Sequence, residues 1–103
     1  MGEFVKVADL ADLPPGERLF HDFDYDSIVL FNVDGQIYAL ADICTHDDGP
    51  LGDGILAGHE IVCPRHGACF DIRTGAGTAP APSPVPTYAV KVEDGAIYVA
   101  APD

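Results

Sequence analysis

Short runs of hydrophobic residues, some alternating with polar ones and some continuous, recur along the chain in the manner of β-strands. The strongest run is 27–33, rich in β-branched and aromatic residues, and Asp34-Gly35 joins it to 36–40. Asp-Gly between two such runs predicts a tight hairpin, because a type I′ turn needs positive φ at both central positions. The predicted strands are 4–7, 17–23, 27–33, 36–40, 55–58, 60–62, 68–72, 88–93 and 96–99.

A second Asp-Gly pair, Asp94-Gly95, joins the last two of these runs in the same way. No stretch of about eleven residues has the period of a helix, so the predicted fold class is all-β. A chain of 103 residues, 48% of them hydrophobic, suffices for one small domain. We therefore expect a single domain over 1–103, with no internal repeat.

Two mixed pairs of cysteine and histidine lie between the hairpins: Cys44 with His46, and Cys63 with His66. Two Cys and two His can form a structural zinc site, but such sites usually pair Cys with Cys and His with His. A mixed pair suits two metal atoms, since each pair can then give one ligand to each metal. Cys44 and Cys63 would hold one iron and His46 and His66 the other, which is the Rieske ligation of a [2Fe–2S] cluster.

The residues around these pairs resemble the Rieske family. The similar segments are CTHDDGPLG at 44–52, CPRHGACFD at 63–71 and a glycine- and proline-rich stretch at 75–86. The resemblance implies one [2Fe–2S] cluster per chain, bound within 42–87. It also implies a small antiparallel β-sandwich or barrel that holds the cluster at its tip between two loops, with the proline stretch as a cover. A zinc-binding module is the alternative.

A [2Fe–2S] centre with four protein ligands has no open coordination position, so it passes one electron and binds no substrate. The chain thus looks like the ferredoxins of ring-hydroxylating dioxygenases, which carry electrons from a flavin-containing reductase to a terminal oxygenase and are not themselves enzymes. Two other roles stay open: the small subunit of an assimilatory nitrite reductase, and a ferredoxin linked to iron–sulfur cluster assembly. A whole Rieske oxygenase needs a further 2-His-1-carboxylate iron site, for which only His21 and His59 remain.

The net charge of the chain limits the classes of partner that it can bind. Seventeen acidic and five basic residues give a formal net charge of −12, which excludes nucleic acid and anionic membranes as partners. Neither a membrane-spanning apolar run nor a signal peptide is predicted. Three cysteines make no disulfide framework, and loops without a cross-link fit a reducing cytoplasm.

Two residues near the second pair bear on the reduction potential. High-potential Rieske proteins place a serine two residues after the second His ligand and a tyrosine four after it, and both hydroxyls donate hydrogen bonds to sulfur. The chain has Ala68 and Phe70 at these positions. Neither side chain can donate, so the resemblance predicts a potential near the low end of the Rieske range, roughly −150 mV. The sequence assigns no role to Arg65 or Cys69.

Overall fold

The computed structural model describes residues 3–23, 26–42, 51–52, 54–63, 68–77 and 85–100. Within these ranges the chain is almost entirely β-structure, which confirms the all-β prediction. A short 3₁₀ turn, Leu10–Asp12, follows the first strand. The strands are β1 (Phe4–Asp9), β2 (Arg18–Asp22), β3 (Ser27–Val33), β4 (Gln36–Ala41), β5 (Ile55–Ala57), β6 (Glu60–Val62), β7 (Cys69–Asp71), β8 (Thr87–Tyr88), β9 (Val90–Glu93) and β10 (Ala96–Ala100).

Three antiparallel sheets are built from these strands. The central sheet has the order β2-β3-β4-β8, a second sheet the order β1-β10-β9, and a third the order β5-β6-β7. Strand β3 is buried on both faces: Val29 and Phe31 belong to one hydrophobic core, Ile28 and Leu30 to another. This explains its continuous apolar sequence, since a strand covered on one side only would alternate with polar residues.

Each core joins the central sheet to one of its neighbours. Ile97 and Val99 of β10 complete the core beside the second sheet. Ile61 of β6 and Phe70 of β7 complete the core beside the third sheet, which also contains Cys63. The predicted metal ligand Cys63 therefore lies in the core that unites the central and third sheets.

Both predicted Asp-Gly hairpins are confirmed. Asp34 and Gly35 have φ of 53° and 90° between β3 and β4, and Asp94 and Gly95 have φ of 52° and 76° between β9 and β10. Aspartate tolerates this left-handed region better than most residues, and glycine adopts it without a steric cost. The turn chemistry thus sets the register of both hairpins.

The prediction of one strand over 88–93 is wrong. The segment divides at Ala89 into β8, which pairs with β4, and β9, which pairs with β10 in a different sheet. Tyr88 packs against both cores at the point where the chain passes between the sheets. The other bounds shift by a residue or two, the first strand extending to Asp9 through an irregularity between Lys6 and Ala8.

Candidate metal centre

Of the four predicted ligands, the described residues include Cys63; Cys44, His46 and His66 lie outside them. Cys63 follows strand β6 directly, and its exposed fraction is 2%. It packs in an apolar core that includes Leu51, Ala68 and Phe70. A thiolate in such surroundings is shielded from water, which suits a ligand of a redox-active metal, because the apolar shell controls solvent access and hence potential.

Strands β6 and β7 form the base from which Cys63 is presented. Val62 pairs with Cys69 across this hairpin, and the Cys63 backbone N–H donates to the Ala68 carbonyl oxygen at 2.7 Å. The chain between them, 64–67, contains His66 and Arg65 and lies outside the described residues. Cys63 and the predicted His66 thus belong to a short connection whose two ends are fixed by the third sheet.

The two ends of the other predicted loop are also joined. The Asp42 backbone N–H donates to the Ser27 carbonyl at 2.9 Å, and the Gly52 backbone N–H donates to Asp42 Oδ1 at 2.6 Å. Residues 43–50, which contain Cys44 and His46, lie between these ends and outside the described residues. The Asp42 carboxylate therefore brings together the points where this segment leaves and rejoins the described chain.

Gly54 links the ends of the two segments. A Cβ at this position would lie 1.8 Å from the Val62 carbonyl oxygen, so only glycine allows the two backbones to approach so closely. Val62 immediately precedes Cys63. The exit of the first segment consequently rests against the strand that leads into the second.

Arg18 is part of the same arrangement, and sequence reasoning missed it. Its Nη1 donates to the Gly54 carbonyl at 2.7 Å and also to the Gly52 carbonyl, 36 and 34 positions away in the chain. Its guanidinium carbon lies 5.3 Å from the centre of the Phe31 ring. A lone arginine in a strand carries no sequence signal for such distant backbone contacts, and the same holds for Asp42.

The described end of the proline-rich segment meets this region too. The Val85 N–H donates to the Gly75 carbonyl at 2.9 Å, and the Ala41 N–H donates to the Pro86 carbonyl at 2.9 Å. Val85 is buried in the same core as Cys63. Residues 78–84 lie outside the described residues, so the expectation that this stretch covers the cluster stays a prediction.

The two histidines outside the predicted ligand set, His21 and His59, each contact an aromatic ring. The His21 ring meets Phe23 edge-on at 4.8 Å, and the His59 ring meets Tyr38 at 5.8 Å. Among the described residues, no three His, Cys, Asp or Glu side chains are grouped closely enough to hold a metal ion.

An ion pair joins Asp71, the last residue of strand β7, to Arg73 two positions later. Arg73 Nη2 is 2.9 Å from Asp71 Oδ2, and the Arg73 guanidinium and backbone hydrogen bonds lower the pKa of Asp71 from 3.8 to about 2. The same carboxylate raises the pKa of Arg73 through its hydrogen bond and charge. One of the few basic groups is thereby neutralised locally.

A Rieske [2Fe–2S] domain model matches residues 3–89 of the chain. The chain belongs to the Rieske [2Fe–2S] domain family. Its cofactor is accordingly a Rieske-type [2Fe–2S] cluster, one in this small domain, and the zinc alternative is set aside. Two cysteines and two histidines are the donor set that such a cluster needs, and the sequence supplies both pairs.

Relatives of this Rieske domain are named as electron carriers. It is 38% identical over 92 residues to the ferredoxin component of the naphthalene 1,2-dioxygenase/salicylate 5-hydroxylase systems of Ralstonia sp., covering 88% of each chain. It is 41% identical over 101 residues to the 3-phenylpropionate/cinnamic acid dioxygenase ferredoxin subunit of Escherichia coli K12, covering 96% of this chain and 94% of the relative.

A solved structure has the same fold. In a complex of reduced oxygenase and oxidized ferredoxin in carbazole 1,9a-dioxygenase, one chain matches with a TM-score of 0.87 and 33% identity, covering 94% of this chain and 92% of that one. The match thus extends over nearly the whole of both chains. Since its relatives are named as ferredoxin components of dioxygenase systems, this chain is an electron carrier and not the catalytic part of such a system. Within its described residues, no helix is long and apolar enough to cross a membrane.

Proposed function

We propose that this Rieske protein is the ferredoxin of a multicomponent ring-hydroxylating oxygenase, carrying single electrons from a flavin-containing reductase to a terminal oxygenase. The observation that carries the proposal is the match, over more than nine tenths of both chains, to a structure of a ferredoxin in complex with its oxygenase. The names of the relatives from Ralstonia and Escherichia coli support the same role. They give less support to a nitrite reductase subunit or a cluster-assembly ferredoxin.

The ligand set we propose is the one that the sequence predicts. Cys44 and Cys63 hold one iron and His46 and His66 the other, within a binding region at 42–87 of a single domain over 1–103. The 2% exposure of Cys63 supports its assignment as a ligand that is shielded from water. The bound cluster supplies a one-electron redox centre, and the residues described above fix the ends of the two segments that contain the ligands.

The charges favour a basic docking partner. Within the described part of the chain, three of the basic side chains are paired with carboxylates: Lys6 with Asp9 at 2.9 Å, Arg73 with Asp71 at 2.9 Å and Lys91 with Glu93 at 4.0 Å. Among the described residues no acidic side chain is buried, so the formal net charge of −12 is carried largely at the surface. We propose that this negative charge speeds encounter with a basic surface of the reductase or the oxygenase, in the cytoplasm.

A reconstituted oxygenase system tests this function. The ferredoxin is added to a flavin reductase and a terminal oxygenase of a ring-hydroxylating system from which the original ferredoxin has been omitted. We expect NADH-dependent hydroxylation to return in proportion to the ferredoxin added, and the Cys63→Ser variant, as matched control, to support none. Electron delivery to a nitrite reductase but to no oxygenase would contradict the proposal, as would purified protein that contains zinc and no acid-labile sulfide.

A further inference from the structure

We propose that Arg18 is a positioning residue for the cluster: it fixes Gly52 and Gly54 beside strand β6, which leads into Cys63. The inference rests on the proposed ligand assignment. Arg18 lies at the start of β2, outside the motif segments that resemble the Rieske family. Only the folded chain brings its side chain into contact with the binding region, at Gly52 and Gly54.

The contacts of Arg18 are directed at two backbone carbonyls that follow the first segment. One guanidinium nitrogen, Nη1, donates to both Gly52 and Gly54, so a single side chain holds both carbonyls in place. Hydrogen bonds from a charged donor are roughly twice as strong as those between neutral groups. The guanidinium carbon also lies 5.3 Å from the centre of the fully buried Phe31 ring, within the range of a cation–π contact.

Gly54 passes this constraint to the second segment. Its backbone lies against the Val62 carbonyl so closely that a Cβ would not fit. Val62 leads into Cys63, whose N–H is held by Ala68. A shift of Gly54 therefore changes the support of the strand that presents Cys63, and Arg18 holds together the two parts of the chain that contain the ligands.

Lysine would not replace arginine here. The guanidinium is planar and broad, with five N–H donors in fixed directions, and it stacks on aromatic rings. An ammonium group keeps the charge and could donate to a carbonyl, but it is compact and strongly hydrated and lacks the planar group that lies 5.3 Å from the centre of the Phe31 ring. The positioning role thus predicts that Arg18→Lys fails nearly as fully as Arg18→Met, whereas a purely electrostatic role predicts rescue by lysine.

The test compares cluster retention in Arg18→Lys, Arg18→Met and the wild-type protein. Lys91→Met is the matched control, because Lys91 is an exposed base that contacts Phe4 and Tyr98 on another sheet. Iron and acid-labile sulfide are measured, followed by the rate at which a chelator bleaches the visible absorption, and by the EPR spectrum of the reduced protein. Far-UV circular dichroism reports the fold.

Both Arg18 variants are expected to lose the cluster at least about tenfold faster than wild type, the factor to which roughly 1.4 kcal/mol corresponds. Their EPR spectra should shift, while the far-UV spectrum and the Lys91→Met control stay unchanged. Wild-type rates in Arg18→Lys, or bleaching of Arg18→Met at the control rate, would overturn the inference. So would unfolded variants, since Arg18 would then support the whole fold. A wild-type protein without sulfide would instead overturn the proposed function.

Discussion

Gly54→Ala should destabilise the protein, although the backbone of Gly54 does not require glycine. The φ of Gly54 lies outside the left-handed region, so alanine can adopt the same backbone conformation without strain. A Gly→Ala change at such a position normally stabilises a protein by about 0.4–1 kcal/mol, because the unfolded chain loses conformational freedom. At Gly54 the packing reverses this sign, since the added Cβ would lie 1.8 Å from the Val62 carbonyl oxygen.

The size of the effect follows from what the methyl group meets. The obstacle is the backbone of Val62, the last residue of strand β6, which cannot rotate away as a flexible side chain would. Overpacking typically costs about 1–3 kcal/mol, and we expect roughly 2–3 kcal/mol here. For a domain of this size each kcal/mol lowers the melting temperature by about 4–8 °C. The expected loss is therefore about 8–24 °C, accompanied by faster loss of the cluster.

Thermal unfolding of the cluster-containing protein, followed by circular dichroism at one scan rate, measures this loss. The matched control is Gly58→Ala, where the added Cβ meets nothing within 4 Å but φ is +62°. Its cost is backbone strain of about 1–2 kcal/mol, and the cluster should be retained. A Gly54→Ala protein as stable as wild type, or more stable, would refute the close approach of the two backbones.

Three further predictions concern the cluster and its partners. Cys63→Ser should abolish the [2Fe–2S] absorption and EPR signals while Cys69→Ser retains them, as measured on purified protein; signals in Cys63→Ser would remove Cys63 from the ligands. Protein-film voltammetry near pH 7 should give a reduction potential near the low end of the Rieske range, roughly −150 mV. Ala68→Ser or Phe70→Tyr should raise this potential by several tens of millivolts. For a one-electron couple, about 59 mV corresponds to a tenfold change in the equilibrium constant. A wild-type potential well above zero would contradict the missing-donor argument. Reduction by the reductase should slow from low to high salt, because screening at 0.1 M acts over about 10 Å; a rate that stays flat or rises would assign the charge to solubility alone.

Most of the strands and both Asp-Gly hairpins can be predicted from local sequence, whereas the order of strands in the three sheets cannot. The two Asp-Gly pairs set their hairpins because the turn type depends only on the two residues that form it. Strand β3 was visible as a continuous apolar run because it is buried on both faces. The mixed Cys and His pairs gave the family for a similar reason, since the ligand types and their spacing are themselves the signal.

What the sequence did not reveal depends on residues far apart in the chain. The chain divides at Ala89 because β8 pairs with β4 and β9 pairs with β10 in another sheet. No local sequence pattern distinguishes one continuous strand from two short consecutive strands. The contacts of Arg18 with Gly52 and Gly54 are equally long-range. From the sequence alone, Gly54 is indistinguishable from any other loop glycine, because its close approach to the Val62 carbonyl depends on the fold.

The two-sided burial of β3 has a consequence for redesigning this protein. Val29 and Ile28 are neighbours in sequence but pack in different cores, so altering either disturbs a different pair of sheets. A library of variants would do well to leave this strand intact. The second sheet, β1-β10-β9, offers better sites for a dye, an electrode linker or a fusion, since Phe4 and Val92 there are 42% and 46% exposed and belong to neither core.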